Sequence, residues 1–179
     1  MAEILIGVSG GVAAYKAATV VSRLAQSGQG VTVVMTRSAG EFIGAATFRA
    51  LSGRRVYDQV FDAAEHPLGA HIELARGADL LCVAPATADL LAKAAHGLAD
   101  DLLSTLLLSF TGPTLFAPAM NTEMWDKPSV QRNVQTLRGD GAQMIGPEEG
   151  WLSCRTRGAG RMAEPETIVE AINATLAQR

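Results

Sequence analysis

The chain has 179 residues, 48% of them hydrophobic and 18% charged, and 15 Lys plus Arg against 18 Asp plus Glu leave a formal net charge of -3. There is no basic surplus of the kind that holds duplex nucleic acid. The chain is too apolar to stay disordered, and no run approaches the roughly 18 uninterrupted apolar residues of a membrane helix. Met1-Ala2-Glu3 leads straight into an apolar run, so no secretion leader is expected. The pattern then predicts a strand over 4–8, a helix over 12–26 ended by Gly28 and Gly30, and a strand over 31–35. A helix over 39–51 is followed by a less regular stretch through 67 and a strand over 80–84 stopped by Pro85. Helices over 87–95 and 99–110 precede a strand over 114–117, stopped by Pro118. A helix over 130–139, a short strand over 143–145, an aperiodic flap over 147–163 and a helix over 165–176 complete the chain. Strands alternating with helices imply an α/β fold, a three-layer doubly wound parallel sheet. The strands are continuous apolar runs, as expected where both faces are covered. Residues 1–179 read as one domain carrying the flap.

In such a sheet ligands bind at the carboxyl ends of the strands. After the first strand comes Gly7-Val8-Ser9-Gly10-Gly11-Val12, opening a helix. Glycines permit close backbone approach and the helix N–H groups favour an anion, although such turns also occur merely to permit tight packing. The spacing matches neither the dinucleotide fingerprint nor the P-loop. After the second strand comes Thr36-Arg37-Ser38, hydroxyls and a cation where a nicotinamide-binding chain holds an acid for the ribose. This favours a mononucleotide phosphate. Pro85-Ala86-Thr87-Ala88-Asp89 and Pro118-Ala119-Met120-Asn121 end the next two strands, so four strand ends carry small or polar residues.

Among the histidines, His66 and His96 border Pro67 and Gly97 and read as surface residues, whereas His71 opens His71-Ile72-Glu73-Leu74. Cys82 lies in an apolar strand and reads as a small hydrophobe. Cys154 is followed by Arg155, Arg157 and Arg161, cations that favour the thiolate. The two cysteines suggest no disulfide framework, and a reducing, cytoplasmic setting is expected.

In order along the chain, Gly10-Gly11-Val12-Ala13-Ala14-Tyr15-Lys16, His71 to Leu74, Pro85 to Asp89, Pro118 to Trp125 and the Cys154 flap resemble the homo-oligomeric flavin-containing cysteine decarboxylases, over essentially the whole chain. P-x-M-N-x-x-M-W is kept in full at Pro118 to Trp125, and Gly160-Arg161-Met162-Ala163-Glu164-Pro165 resembles the bacterial coenzyme A branch. The resemblance implies a Rossmann-like flavoprotein with FMN at a subunit interface, in a trimer or a dodecamer of trimers, and no metal. It implies that Ser9, Gly10, Gly11, Val12, Thr36, Arg37 and Ser38 hold the FMN phosphate and ribityl chain, while Thr87, Ala88, Asp89, Leu90 and Ala119 line the ring. His71 matches the active-site histidine, Asn121 and Met124 fall in the substrate-binding motif, and Cys154 matches the flap proton donor. Arg155, Arg157 and Arg161 are the candidates for a substrate phosphate. The implied reaction converts 4'-phospho-N-pantothenoylcysteine to 4'-phosphopantetheine by way of a thioaldehyde and an enethiolate, with no net redox change. Relatives in this branch are often fused to a synthetase, so the chain is expected to be a stand-alone enzyme or an excised domain.

The sequence departs from the family pattern at Asp89-Leu90 and at Arg155, which stands where glycine commonly follows the flap cysteine. A peptidyl-cysteine decarboxylase needs no flap cysteine, and a non-catalytic regulatory flavoprotein typically carries long acidic extensions; both remain the alternatives. A flavin prenyltransferase gives no reason for the asparagine motif, and a nicotinamide dehydrogenase is disfavoured by the missing acid after the second strand.

Overall fold

The computed structural model describes residues 1–61 and 68–178. Its elements in order are β1 (Glu3–Val8), α1 (Ala14–Gln26), β2 (Gly30–Met35), a 3-10 turn (Arg37–Glu41), α2 (Ala45–Ser52), β3 (Val56–Tyr57), α3 (Ala70–Arg76), β4 (Leu80–Ala86), α4 (Ala88–His96), α5 (Leu102–Ser109) and β5 (Thr114–Pro118). Then come α6 (Thr122–Trp125), α7 (Pro128–Gly139), β6 (Gln143–Met144), β7 (Glu148–Trp151), β8 (Arg157–Arg161) and α8 (Pro165–Leu176). Six strands form one parallel sheet in the order β3-β2-β1-β4-β5-β6, and β7 and β8 form a separate antiparallel hairpin.

Strand side chains alternate between faces, and the core divides accordingly. Ile4, Ile6 and Val8 of β1 and Leu80, Cys82 and Ala84 of β4 pack with α1, α2 and α8. Leu5, Leu81 and Val83 point the other way, toward Leu90 and Leu91 of α4, Leu103 and Leu106 of α5 and Val134 of α7. Both layers are apolar, which is why these strands read as unbroken apolar runs. Burial pushes the Cys82 thiol up to about 12, so it stays protonated and inert. No described helix is long and apolar enough to cross a membrane.

The main departures from the sequence reading lie where glycine or short length hides periodicity. The helix expected over 39–51 is two pieces: a 3-10 turn whose Thr36 cap accepts from Ala39 N, then α2 starting after Gly44. The irregular stretch before β4 contains β3 and α3, and α3 carries His71. A one-turn helix, α6, follows β5. The flap is a hairpin, although its glycines and arginines show no alternation of apolar residues. His66 lies outside the described residues.

Candidate active site

The strand order reverses between β1 and β4, so the loops that follow these strands diverge to opposite faces and leave a crevice between them. Ser9 braces its floor. Its buried hydroxyl donates to Pro85 O at 2.7 Å and accepts from Thr87 N at 3.0 Å, tying the end of β1 to that of β4. Ser9 is thereby a strut of the site, its hydroxyl committed to protein partners.

Above this floor lies a cavity of about 590 Å³, walled by Gly10 to Ala13, Thr87 to Asp89, Ala119 to Asn121 and the hairpin. A second cavity of about 410 Å³ adjoins it, and Ser38, Thr87 and Asp89 belong to both. Thr36, Arg37 and Leu90 border the second one, so the expected cofactor residues line two compartments that share a wall. Gly10 is required by packing: a Cβ there would stand 2.5 Å from Ser38 Cβ and 2.9 Å from its carbonyl carbon. Among the described residues, no acceptor meets the N–H groups of Gly10, Gly11, Val12 and Ala13, and Ala13 gives α1 no side-chain cap. Free N–H donors at the start of a 13-residue helix, next to the Ser38 hydroxyl, fit a phosphate monoester whose organic part extends into the larger cavity.

Lys93 closes the far side of the second cavity, with Nζ 3.0 Å from Asp100 and 3.5 Å from Asp89. The Asp100 hydrogen bond is the main reason that the Lys93 ammonium titrates above its usual range. Asp89, one of the two departures from the family pattern, is thus held by a cation.

Asn121 caps α6, its Oδ1 accepting from Met124 N at 2.9 Å. That bond settles which end of the amide is spent, leaving the Nδ2 hydrogens for an acceptor in the cavity. Met124 lies on the same wall.

The hairpin forms the roof. Met120 N donates to Gly160 O at 2.9 Å, and Thr122 Oγ1 donates to Ala159 O at 2.8 Å. Gly160 has φ +119 and presses against the Met120 carbonyl, a place for no other residue. At the tip, Leu152 N donates to Thr156 O at 2.8 Å and Arg155 N to Leu152 O at 2.9 Å. Arg155 adopts φ 65, so it keeps the left-handed turn that a glycine would take there. Trp151, Leu152 and Ser153 line the cavity, and the next residue, Cys154, is exposed with Sγ 3.0 Å from Thr156 Oγ1. Of the three candidate arginines, Arg161 borders the cavity, whereas Arg155 and Arg157 are exposed on the hairpin away from its wall.

His71 is not among the residues lining either cavity of its own chain. It sits on α3, packed against α5, where Ser109 Oγ donates to its backbone carbonyl at 3.3 Å. Its Nδ1 is buried with no partner among the described residues.

Sequence reasoning assigned no role to Lys16, Glu164 or Trp151. Lys16 had a usable signal: it falls on the stripe 16, 17, 20, 21, 24 of α1, all otherwise apolar and all buried. A charge on such a stripe needs a partner. Lys16 Nζ donates to Met162 O at 3.2 Å and Glu164 at 3.1 Å, and Glu164 also pairs with Arg161. The Lys16 hydrogen bond is the main cause holding the Glu164 carboxyl below its usual range.

The Flavoprotein family model matches residues 1–177 of this chain. The coenzyme A biosynthesis bifunctional protein CoaBC of Mycobacterium tuberculosis is 52% identical over 176 residues, 98% of this chain and 40% of that protein. CoaBC of Bacillus subtilis is 48% identical over 168 residues, 94% of this chain and 41% of that protein. The chain therefore spans about two fifths of the length of these curated relatives. Among solved structures, a PPC decarboxylase mutant complexed with pantothenoylaminoethenethiol superposes with TM-score 0.88 at 32% identity, covering 97% of both chains. The FMN-dependent cysteine decarboxylase SpaF superposes with TM-score 0.84 at 34% identity, covering 99% of this chain and 97% of its own.

Proposed function

The chain belongs to the Flavoprotein family, and from that membership and the cleft we propose that it binds FMN and decarboxylates 4'-phospho-N-pantothenoylcysteine to 4'-phosphopantetheine, a step of coenzyme A biosynthesis carried out in the cytoplasm by residues 1–179 as one domain. The carrying observation is that the Cys154 hairpin roofs the same cavity that Asn121 walls, with Ser153 on the lining itself. Bound FMN supplies a reversible two-electron acceptor, without which loss of CO2 would leave an unstabilised carbanion. The free N–H groups of Gly10 to Ala13 and the Ser38 hydroxyl hold its phosphate, and Thr87, Ala88 and Ala119 border its ring. Asn121 Nδ2 donates to the substrate carboxylate, oriented by the cap bond to Met124 N. Cys154 Sγ delivers the proton that completes the product, and the solvated hairpin tip lets it be reprotonated. Arg161, already on the wall, meets the substrate phosphate in preference to Arg155 or Arg157.

His71 belongs to this chemistry through a second copy of the chain. Tyr15 and Trp151 at the cavity mouth are 62% and 67% exposed, with Val12 and Met124 also open, which is the apolar rim a neighbouring subunit would cover. The trimer, alone or as part of a dodecamer, supplies that neighbour. Mixing His71→Asn and Cys154→Ser subunits tests it, because shared sites regain activity that neither variant has alone.

The primary test is mass spectrometry of the FMN-loaded protein incubated with 4'-phospho-N-pantothenoylcysteine. Conversion to 4'-phosphopantetheine supports the reading. An enethiol as end product removes the Cys154 role, and an inert flavin-loaded protein redirects the search to peptides ending in cysteine.

A further inference from the structure

Lys16 and Glu164 join two parts of the site that, among the described residues, no backbone hydrogen bond connects. Lys16 lies in the first turn of α1, directly after the loop that lines the cavity and whose N–H groups have no acceptor among the described residues. Its buried Nζ reaches across to Met162 O and to the Glu164 carboxylate, both at the root of the hairpin. Glu164 in turn pairs with Arg161, the last residue of β8. The Arg161 side chain lies flat over β7, since a Cβ on Gly150 would stand 2.8 Å from Arg161 Cδ. On the other side of the root, Glu164 N donates to Glu148 Oε1 at 3.4 Å, which ties in the first residue of β7. The Glu164 carboxylate thus links the helix of the anion cradle to β8 through Arg161, while its backbone N–H ties in β7 through Glu148.

We propose that Glu164 is a positioning residue that fixes the hairpin root to the start of α1 and so sets where the tip presents Cys154 over the cavity. The inference rests on the functional reading above. Its logic is one of leverage. The root is anchored by Lys16–Glu164 and by the two bonds from Met120 and Thr122, while Cys154 lies at the exposed tip. A small rotation at the root displaces the tip, and a misplacement near 1 Å can cost about 100-fold in a proton transfer. The earlier chemistry, carried by the floor and by Asn121, does not depend on where the tip sits. Releasing Arg161 from Glu164 changes how tightly the substrate phosphate is held and so total turnover, which the product ratio divides out.

Glu164→Gln keeps the size but releases both ion pairs. In the FMN-loaded protein it should continue to release CO2 while the ratio of enethiol to 4'-phosphopantetheine rises about 10-fold or more. Glu164→Asp, which keeps the charge and shortens the reach, should fall between Gln and wild type, and it serves if the Gln variant does not fold. In the free protein, hydrogen exchange of residues 148–161 should accelerate in both variants while β1 and β2 are unchanged. A product ratio equal to wild type in a folded variant overturns the proposal, as does unchanged hairpin exchange. A wild-type protein inert toward 4'-phospho-N-pantothenoylcysteine overturns the functional reading instead, so the two failures are distinguishable.

Discussion

The floor and the roof of the cleft are held in opposite ways. The floor is the edge of a parallel sheet, with Ser9 and Thr87 locked to each other and the side chains beneath them almost wholly buried. The roof is a hairpin whose hydrogen bonds and ion pairs with the rest of the site, among the described residues, fall at a few points, Gly160, Ala159, Met162 and Glu164. A floor built on dense packing resists change and tolerates none; a roof on point contacts can move and loses its place when one contact goes. The division suits a reaction in which the cofactor must stay fixed while substrate enters and product leaves under a cover.

The sharpest break in this comparison is chemical. Cys154→Ser should fold and take up FMN as wild type does, because the residue is exposed at the tip, yet release enethiol with no 4'-phosphopantetheine by mass spectrometry. Wild-type product formation would detach the roof from the chemistry. The converse lesion is in the floor. Gly10→Ala drives a methyl into Ser38, so it should lower stability by about 1–3 kcal/mol and yield protein with little flavin absorbance. Retained flavin with unchanged melting would show that the floor yields where dense packing says it cannot.

Asn121→Asp sharpens the contrast between holding and binding. Aspartate caps a helix as well as asparagine does, so the melting temperature should stay close to wild type. Two carboxylates would then face each other, and KM should rise by about 10-fold or more while flavin content is unchanged. A large drop in melting temperature would mean that the side chain serves the fold first. The smallest effect belongs to the tip. Arg155→Gly replaces a residue at φ 65 with one that meets no steric penalty there, and should stabilise by about 1 kcal/mol in denaturant titration, with activity kept. Lost activity would give the Arg155 side chain a role in the reaction.

Much of the floor was legible along the chain. Unbroken apolar runs at Leu80 to Ala84 and Thr114 to Ala117 announced strands covered on both faces, and the small and polar residues after them marked the ligand end of the sheet. The 3-10 turn and α2 read along the chain as one helix because Gly40 and Gly44 interrupt the backbone without disturbing the apolar spacing. α3, with a single fully buried residue in Ala70, left no stripe to detect. The hairpin reads along the chain only as an aperiodic flap for a related reason: its strands Glu148–Trp151 and Arg157–Arg161 bury little and are held by backbone pairing, which composition does not record.

By itself the sequence determined the layered parallel sheet, the strand ends that form the cleft and the motifs that carry the family likeness, because periodicity and turn residues are local properties of the chain. Only the tertiary structure decided that Ser9 is a brace, that Asn121 spends its carbonyl on a helix cap, that Arg161 alone of three arginines reaches the wall, and that Lys16 finds Glu164 across 148 positions of sequence. Those outcomes depend on which groups meet once the chain has closed on itself. A hydrogen bond or an ion pair is made by proximity in space, and no spacing along the chain encodes it.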